Sequence, residues 1–256
     1  MFYHNIDPTL FRIGPLEIRY YGIIYALGFL IAYFIIYHIA NKRNLNLTKD
    51  DIADYIFYLI IGTILGARLF EIIFYEPAYY AANPLKMIAI WQGGLSFHGG
   101  LVGAVLAGYL FCKKKHIDLY DLADITVIPL AFGLFLGRIA NFINSELVGR
   151  ITSLPWCVYF KNYTGCRHPS QIYESLKNLI IFTILWNLKE KQLKKGTLFW
   201  SFVLLYSSIR FMIEFVKDPG SIGFILGLTM GQWLNIAMFF VGLYFLLKIN
   251  KTEFNP

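Results

Sequence analysis

Apolar residues run along this chain in stretches that are too long and too continuous for the helices of a soluble core. Seven of them, near 20–40, 53–75, 94–112, 122–143, 172–188, 197–216 and 225–247, have about the length an α-helix needs to cross a hydrocarbon core roughly 30 Å thick. The pattern is continuous rather than alternating, and a bilayer leaves backbone groups no partner except within a helix or a closed barrel. The expected architecture is therefore an all-α integral membrane protein built as a bundle of seven transmembrane helices. Asp121, Asp124 and Arg138 interrupt the fourth stretch, and Glu174 and Lys177 stand near the start of the fifth, so six or eight spans stay open at this point. No repeat period, inverted repeat or low-complexity linker breaks the chain, and residues 1–256 read as a single membrane domain. The loop 147–171 is the one connection large enough for a small external subdomain, and its Pro155, Gly165 and Pro169 predict irregular backbone with room for a hairpin.

Composition strengthens this picture. The chain is 57% hydrophobic and 15% charged, against soluble averages of about 45–50% and about 25%. Charge then orients it. The loops 41–51, 113–119 and 189–196 and the C-terminal tail hold twelve Lys and Arg, whereas the opposite loops and the N-terminal segment hold seven. By the positive-inside rule the C-terminus is cytoplasmic and the N-terminus external. The net charge of +7 thus reads as a topological signal with some attraction to anionic lipids, and it calls for no nucleic-acid partner. Residues 1–20 lack the apolar core of a cleavable signal, so the first helix is expected to serve as an uncleaved one. Cys112, at a cytoplasmic helix end, reads as a small hydrophobe. Cys157 and Cys166 share the external loop, and whether they pair is left open.

Chemistry is suggested by polar residues where apolar ones are expected. Arg138 costs about 2.5–3.5 kcal/mol at a bilayer centre on insertion scales, so something must compensate it. Asn141 lies at i+3 on the same face, and Glu146 falls beyond the expected helix end. The pair is either a packing lock or part of an anion clamp, since a guanidinium matches phosphate or carboxylate oxygens with a planar fork. The sixth helix repeats the theme: Tyr206, Arg210 and Glu214 fall at i, i+4 and i+8 along one stripe. Two intramembrane arginines, each with a carboxylate nearby, point to one polar cavity toward the external leaflet.

Other positions are more ambiguous. Gly62 and Gly66 on the second helix and Gly99 and Gly103 on the third have the spacing that lets helices approach closely. His98 is either a satisfied core histidine or a general base. His4, His38, His116 and His168 lie on scattered segments, which argues against a metal site. Arg68 with Glu71 at i+3 reads as a structural ion pair. Tyr21 belongs either to an interfacial aromatic belt or to the cavity. Ser170, with Glu174 nearby, reads as a helix N-cap.

The stretch Gly137-Arg138-x-x-Asn141-Phe142-x-Asn144-x-Glu146-x-x-Gly149 resembles the signature of the prolipoprotein diacylglyceryl transferase family. Further matches run along the chain: Gly14-Pro15 with Tyr21-Gly22, Gly66-x-Arg68, Gly93-Gly94-x-Ser96-Phe97-His98-Gly99-Gly100, His168-Pro169-Ser170-Gln171-x-Tyr173-Glu174, Arg210-x-x-x-Glu214 and Met230-Gly231-Gln232. The resemblance implies a seven-helix, multi-pass enzyme of the bacterial cytoplasmic (inner) membrane, with its active site toward the external leaflet. It implies transfer of the diacylglyceryl group of phosphatidylglycerol to the lipobox cysteine of a preprolipoprotein signal peptide, forming a thioether and releasing glycerol phosphate. It also implies roles: Arg138 and Arg210 binding the phosphatidylglycerol head group, Asn141, Glu146, Glu214 and Gly149 shaping its pocket, and His98, Tyr21 and Tyr206 as catalytic candidates beside Arg210. No metal or organic cofactor is expected, because the leaving group is already activated as a phosphodiester. The competing reading of the same arginines is a transporter of anionic lipids or small anions.

Overall fold

The computed structural model describes residues 2–14, 16–219 and 223–251; Pro15 of the sequence pattern lies outside them. The chain divides into two compact units, one of residues 37–122 and one of residues 1–36 with 123–256.

The 37–122 unit begins with the end of α1 (Tyr20–Lys42) and continues into α2 (Lys49–Phe70). Helix α2 starts at Lys49 rather than at the expected 53, because Thr48 and Asp51 form a reciprocal capping box: Thr48 Oγ1 accepts from the Asp51 N–H at 3.1 Å and Asp51 Oδ2 from the Thr48 N–H at 2.9 Å. Its far end passes into a π-helical turn, Glu71–Tyr75, followed by the short α3 (Pro77–Ala82), two 3-10 turns and α4 (Phe97–Lys115). Helices α2 and α4 touch backbone to backbone. A Cβ on Gly103 would overlap the Gly62 carbonyl, and one on Gly66 would overlap the Gly99 carbonyl. Both expected glycine pairs therefore face each other, which permits the close crossing. Gly103→Leu is expected to cost about 3 kcal/mol or more by overpacking, visible as a lower melting temperature in detergent. A wild-type melting temperature would refute this contact.

The other unit holds β1 (Phe2–His4), β2 (Thr9–Ile13) and β3 (Leu16–Arg19), then most of α1, α5 (Leu119–Ile143), β4 (Val158–Phe160), β5 (Cys166–Arg167), α6 (Ser170–Leu188), α7 (Thr197–Glu214), β6 (Phe224–Ile225), β7 (Leu228–Thr229) and α8 (Met230–Lys251). β2 and β3 form an antiparallel hairpin, and β1 pairs in parallel with β4, which pairs antiparallel with β5. The hairpin for which 147–171 left room is thus present, and the Cys157–Cys166 disulfide links its two arms. Helix α8 begins at Met230 rather than 225 because its expected first turn is the β6–β7 hairpin, whose Leu226 and Gly227 both have positive φ (50° and 80°). Asp124 of α5 caps a different helix, accepting from the N–H groups of Gly196 (2.9 Å) and Phe199 (2.8 Å) at the start of α7.

Among the described residues, five helical segments are long and apolar enough to cross a membrane: Tyr20–Lys42, Lys49–Tyr75, Leu119–Ile143, Thr197–Glu214 and Met230–Lys251. The two remaining long helices, α4 and α6, have 19 residues each. In α6 the reason for its polarity is visible. Gln171, Glu174, Ser175, Lys177 and Asn178 are buried, whereas Leu176 and Ile180 are each 52% exposed. A helix with charge inside and leucine outside is built for an apolar solvent. The molecule is accordingly a mostly helical integral membrane protein.

Candidate functional site

The site in the larger unit starts at the end of α5. Arg138 Nη1 donates to Asn141 Oδ1 at 3.5 Å, one turn along the helix. Beyond Ile143 the chain folds back, with the Glu146 N–H bonded to the Asn141 carbonyl at 2.9 Å and with Ser145 and Leu147 at positive φ. This tight turn lets two amides hold one carboxylate: Asn141 Nδ2 donates to Glu146 Oε2 at 3.1 Å and Asn144 Nδ2 to Glu146 Oε1 at 3.0 Å. Glu146 therefore meets Arg138 through Asn141. The turn spends both carboxylate oxygens of Glu146 on amides.

The carboxylate beside Arg138 comes from α6. Glu174 Oε2 lies 3.8 Å from Arg138 Nε and 2.8 Å from Lys177 Nζ, while Glu174 Oε1 lies 2.6 Å from Arg210 Nη1. Arg210 Nη1 also meets Glu214 Oε2 at 2.6 Å, which is the expected i,i+4 pair. Glu214 Oε1 accepts from Thr229 Oγ1 at 3.2 Å, and Gly231 leaves it space, since a Cβ there would come within 2.7 Å of the carboxylate. Tyr206, one turn before Arg210, lies under Lys177, whose Nζ sits 3.6 Å from the ring centroid. Arg138, Asn141, Glu146, Tyr206, Arg210 and Glu214, all singled out from sequence, thus converge. Glu174 and Lys177 were missed as site residues. Both interrupt an apolar run at i,i+3, and Glu174 also closes the motif that begins at His168.

Three cations, Arg138, Lys177 and Arg210, surround the two directly paired carboxylates Glu174 and Glu214, so this cluster carries surplus positive charge. Neither arginine is sealed off: their side chains are 18% and 12% exposed. The arrangement suits an anion, and guanidinium nitrogens not engaged by carboxylates can donate to its oxygens.

Gly149 closes one edge. Its N–H donates to the His168 carbonyl at 3.0 Å, it bridges to Lys217, and a Cβ would come within 2.7 Å of His168 and of the Val216 carbonyl. This stitches the turn after α5 to the end of α7. Lys217, just beyond α7, is held down at about 8 by burial and then by the positive Arg210. Ser170 does not cap its helix as expected. Pro169 occupies the N-cap position, and Ser170 Oγ instead donates to the Leu147 carbonyl at 2.8 Å, tying α6 to the same turn. Tyr21, at the start of α1, bonds Tyr25 through the hydroxyls at 3.0 Å and lies within the electrostatic reach of Glu146 and Arg138.

The 37–122 unit presents His98 in the first turn of α4. Its Nδ1 lies 3.2 Å from the Tyr75 hydroxyl, a partner that sequence reading missed. If Nδ1–H donates to Tyr75, Nε2 keeps a lone pair and can accept a proton. The path into α4 is held by Arg68, which does not pair with Glu71 as expected. Its guanidinium donates to the carbonyls of Met87 (2.9 Å), Gly93 (2.7 Å), Gly94 (2.8 Å) and Lys86. The physical reason is that the short turns at 86–94 leave carbonyl capacity that no regular helix or sheet uses up, and one guanidinium offers five donors to fill it. Among the described residues, no three His, Cys, Asp or Glu side chains are grouped as a metal ion would require.

Known proteins match nearly the whole chain. The family described as prolipoprotein diacylglyceryl transferase matches residues 8–248. The phosphatidylglycerol–prolipoprotein diacylglyceryl transferase of Geobacter sulfurreducens is 45% identical over 260 residues, covering 100% of both chains. Its namesake from Bordetella avium is 39% identical over 259 residues, covering 98% of each, and that from Rickettsia rickettsii 42% over 257 residues, covering 98% of this chain and 99% of the relative. The chain therefore belongs to the prolipoprotein diacylglyceryl transferase family.

Proposed function

We propose that this protein joins the diacylglyceryl group of phosphatidylglycerol to the thiol of a preprolipoprotein lipobox cysteine. The cysteine sulfur attacks the glyceryl carbon bonded to phosphate, a carbon–sulfur bond forms, the carbon–oxygen bond breaks, and glycerol phosphate leaves with the electron pair. The observation that carries this reading is the convergence of Arg138 and Arg210 on buried Glu174, with positive charge in surplus. Arg138 and Arg210 hold the phosphate and stabilise the charge that gathers on it. Asn141 and Glu146 shape the pocket around Arg138, Glu214 does so around Arg210, and Gly149 holds its edge. Tyr21 and Tyr206 supply phenols to the same group of residues.

A free thiol has a pKa of about 8.5, so the sulfur must shed a proton to react quickly near neutrality. His98 Nε2 takes that proton while Tyr75 fixes the ring.

The chain crosses the bacterial inner membrane seven times as one membrane domain, N-terminus outside and C-terminus inside, with α4 and α6 as the two more polar spans. Lysine-rich loops support this orientation, and the Cys157–Cys166 disulfide suits an external, oxidising compartment for residues 147–171. The chemistry then faces the external leaflet. The transporter reading lacks support, because the family match spans residues 8–248.

The test is purified protein with phosphatidylglycerol and a lipobox peptide, read by a gel shift of the peptide. The expected result is a lipidated peptide, and none when the peptide cysteine is replaced by serine. A cysteine peptide that is never lipidated refutes the proposed function.

A further inference from the structure

Lys177 is a cation of the charged cluster that no assigned role uses. We infer that Lys177 is a positioning residue: by occupying Glu174 Oε2 it keeps Arg138 from closing onto that carboxylate and leaves the Arg138 guanidinium for a lipid phosphate. The inference rests on the proposed function and names a further residue of the same site.

The geometry is a competition for one oxygen. Lys177 Nζ stands 2.8 Å from Glu174 Oε2, and Arg138 Nε stands 3.8 Å from the same atom. The first is a full charge-assisted hydrogen bond, and the second is about 1 Å too long to be one. The other recorded Arg138 contacts, to Asn141 at 3.5 Å and to the Tyr206 side chain, are with neutral groups, so no carboxylate pairs closely with this guanidinium. Arg210 already occupies the other Glu174 oxygen at 2.6 Å. With Lys177 removed, Oε2 loses its close partner, and a shift of about 1 Å would complete its pair with Arg138.

Lys177 itself is poorly placed to touch substrate, because its side chain is 1% exposed and its ammonium lies over the Tyr206 ring. Burying an ammonium costs several kcal/mol of desolvation, and apolar replacements of buried ion pairs are often neutral or stabilising. Packing alone therefore gives little reason for a lysine here. Competition for Oε2 does, since no apolar side chain can provide it.

The experiment compares wild type, Lys177→Met and Lys177→Met/Glu174→Gln, full-length and in detergent. It reads phosphatidylglycerol affinity by native mass spectrometry, transfer kinetics with the lipobox peptide, and melting temperature. In Lys177→Met the KM and Kd for phosphatidylglycerol are expected to rise about tenfold, with the KM for peptide unchanged. The double variant removes one charge of each sign and takes away the carboxylate that would capture Arg138. It is expected to bring both constants back to within about threefold of wild type. Wild-type lipid affinity in Lys177→Met overturns the inference. So does a loss of melting temperature and affinity that the double variant leaves uncorrected, which would make Lys177 purely structural. If wild type binds the lipid but never transfers it, the proposed function fails, and the affinities still decide the role of Lys177.

Discussion

Arg138→Lys and Arg210→Lys are each expected to lower kcat/KM for diacylglyceryl transfer by about 10²–10³-fold, the loss usual when one oxyanion donor is removed. Both replacements keep the positive charge, so the net charge around Glu174 is unchanged and the melting temperature should change little. What is lost is the fork. Arg210 places a single nitrogen, Nη1, within 2.6 Å of both Glu174 and Glu214, which leaves the rest of the guanidinium for phosphate. A lysine ammonium there would spend its hydrogens on the two carboxylates. Arg138 stands 3.8 Å from Glu174 and otherwise meets the neutral Asn141 and Tyr206, so its value lies in a planar fork that no carboxylate has closed on, and an ammonium cannot span two phosphate oxygens. Steady-state kinetics on both variants, with melting curves as the folding control, check this. Transfer at the wild-type rate in either one removes that arginine from the phosphate clamp.

His98→Gln is expected to reduce kcat by about 10²–10⁴-fold, the range for a lost general base. Glutamine retains hydrogen-bonding capacity toward Tyr75 but cannot accept a proton from the peptide. Phosphatidylglycerol affinity should be unchanged, which separates a lost base from a damaged lipid pocket. The deficit should also narrow as pH rises through about 8.5, where the substrate thiol ionises without help. A deficit of constant size across that interval would indicate a structural role for His98, and full activity would remove it from proton transfer altogether.

The residues behind these two predictions differ in how far sequence revealed them. Arg210 and Glu214 were legible because i,i+4 spacing on one helix fixes their contact without knowledge of any neighbour. Asn141 followed Arg138 for the same reason. Gly62, Gly66, Gly99 and Gly103 were legible as a close crossing, since small residues at that spacing have few other uses in a membrane helix. Arg68 was misread. The i+3 rule paired it with Glu71, yet the backbone turns π-helical at Glu71, and the carbonyls of the short turns at 86–94 make the stronger demand. Glu174 was read as part of a helix start, because nothing local shows that a carboxylate on α6 will meet an arginine on α5 and another on α7. Tyr75 closes an apolar run and was invisible beside His98 until the chain between them was folded.

Membrane residence, the approximate helices and the family pattern could be read from the chain alone. Hydropathy sums over about 20 neighbouring residues, so it survives any error in local detail, and an ordered motif needs no three-dimensional partner to be recognised. Beyond the i,i+4 pair Arg210–Glu214, which carboxylate faces which cation emerged only once the helices were packed. Glu174 against Arg210, Lys177 ahead of Arg138 at one oxygen, and Glu146 given over to two amides are contacts between segments or across a turn, set by distances of a few ångströms. In a low-dielectric interior such distances decide electrostatic energies, and no periodicity along a sequence encodes them.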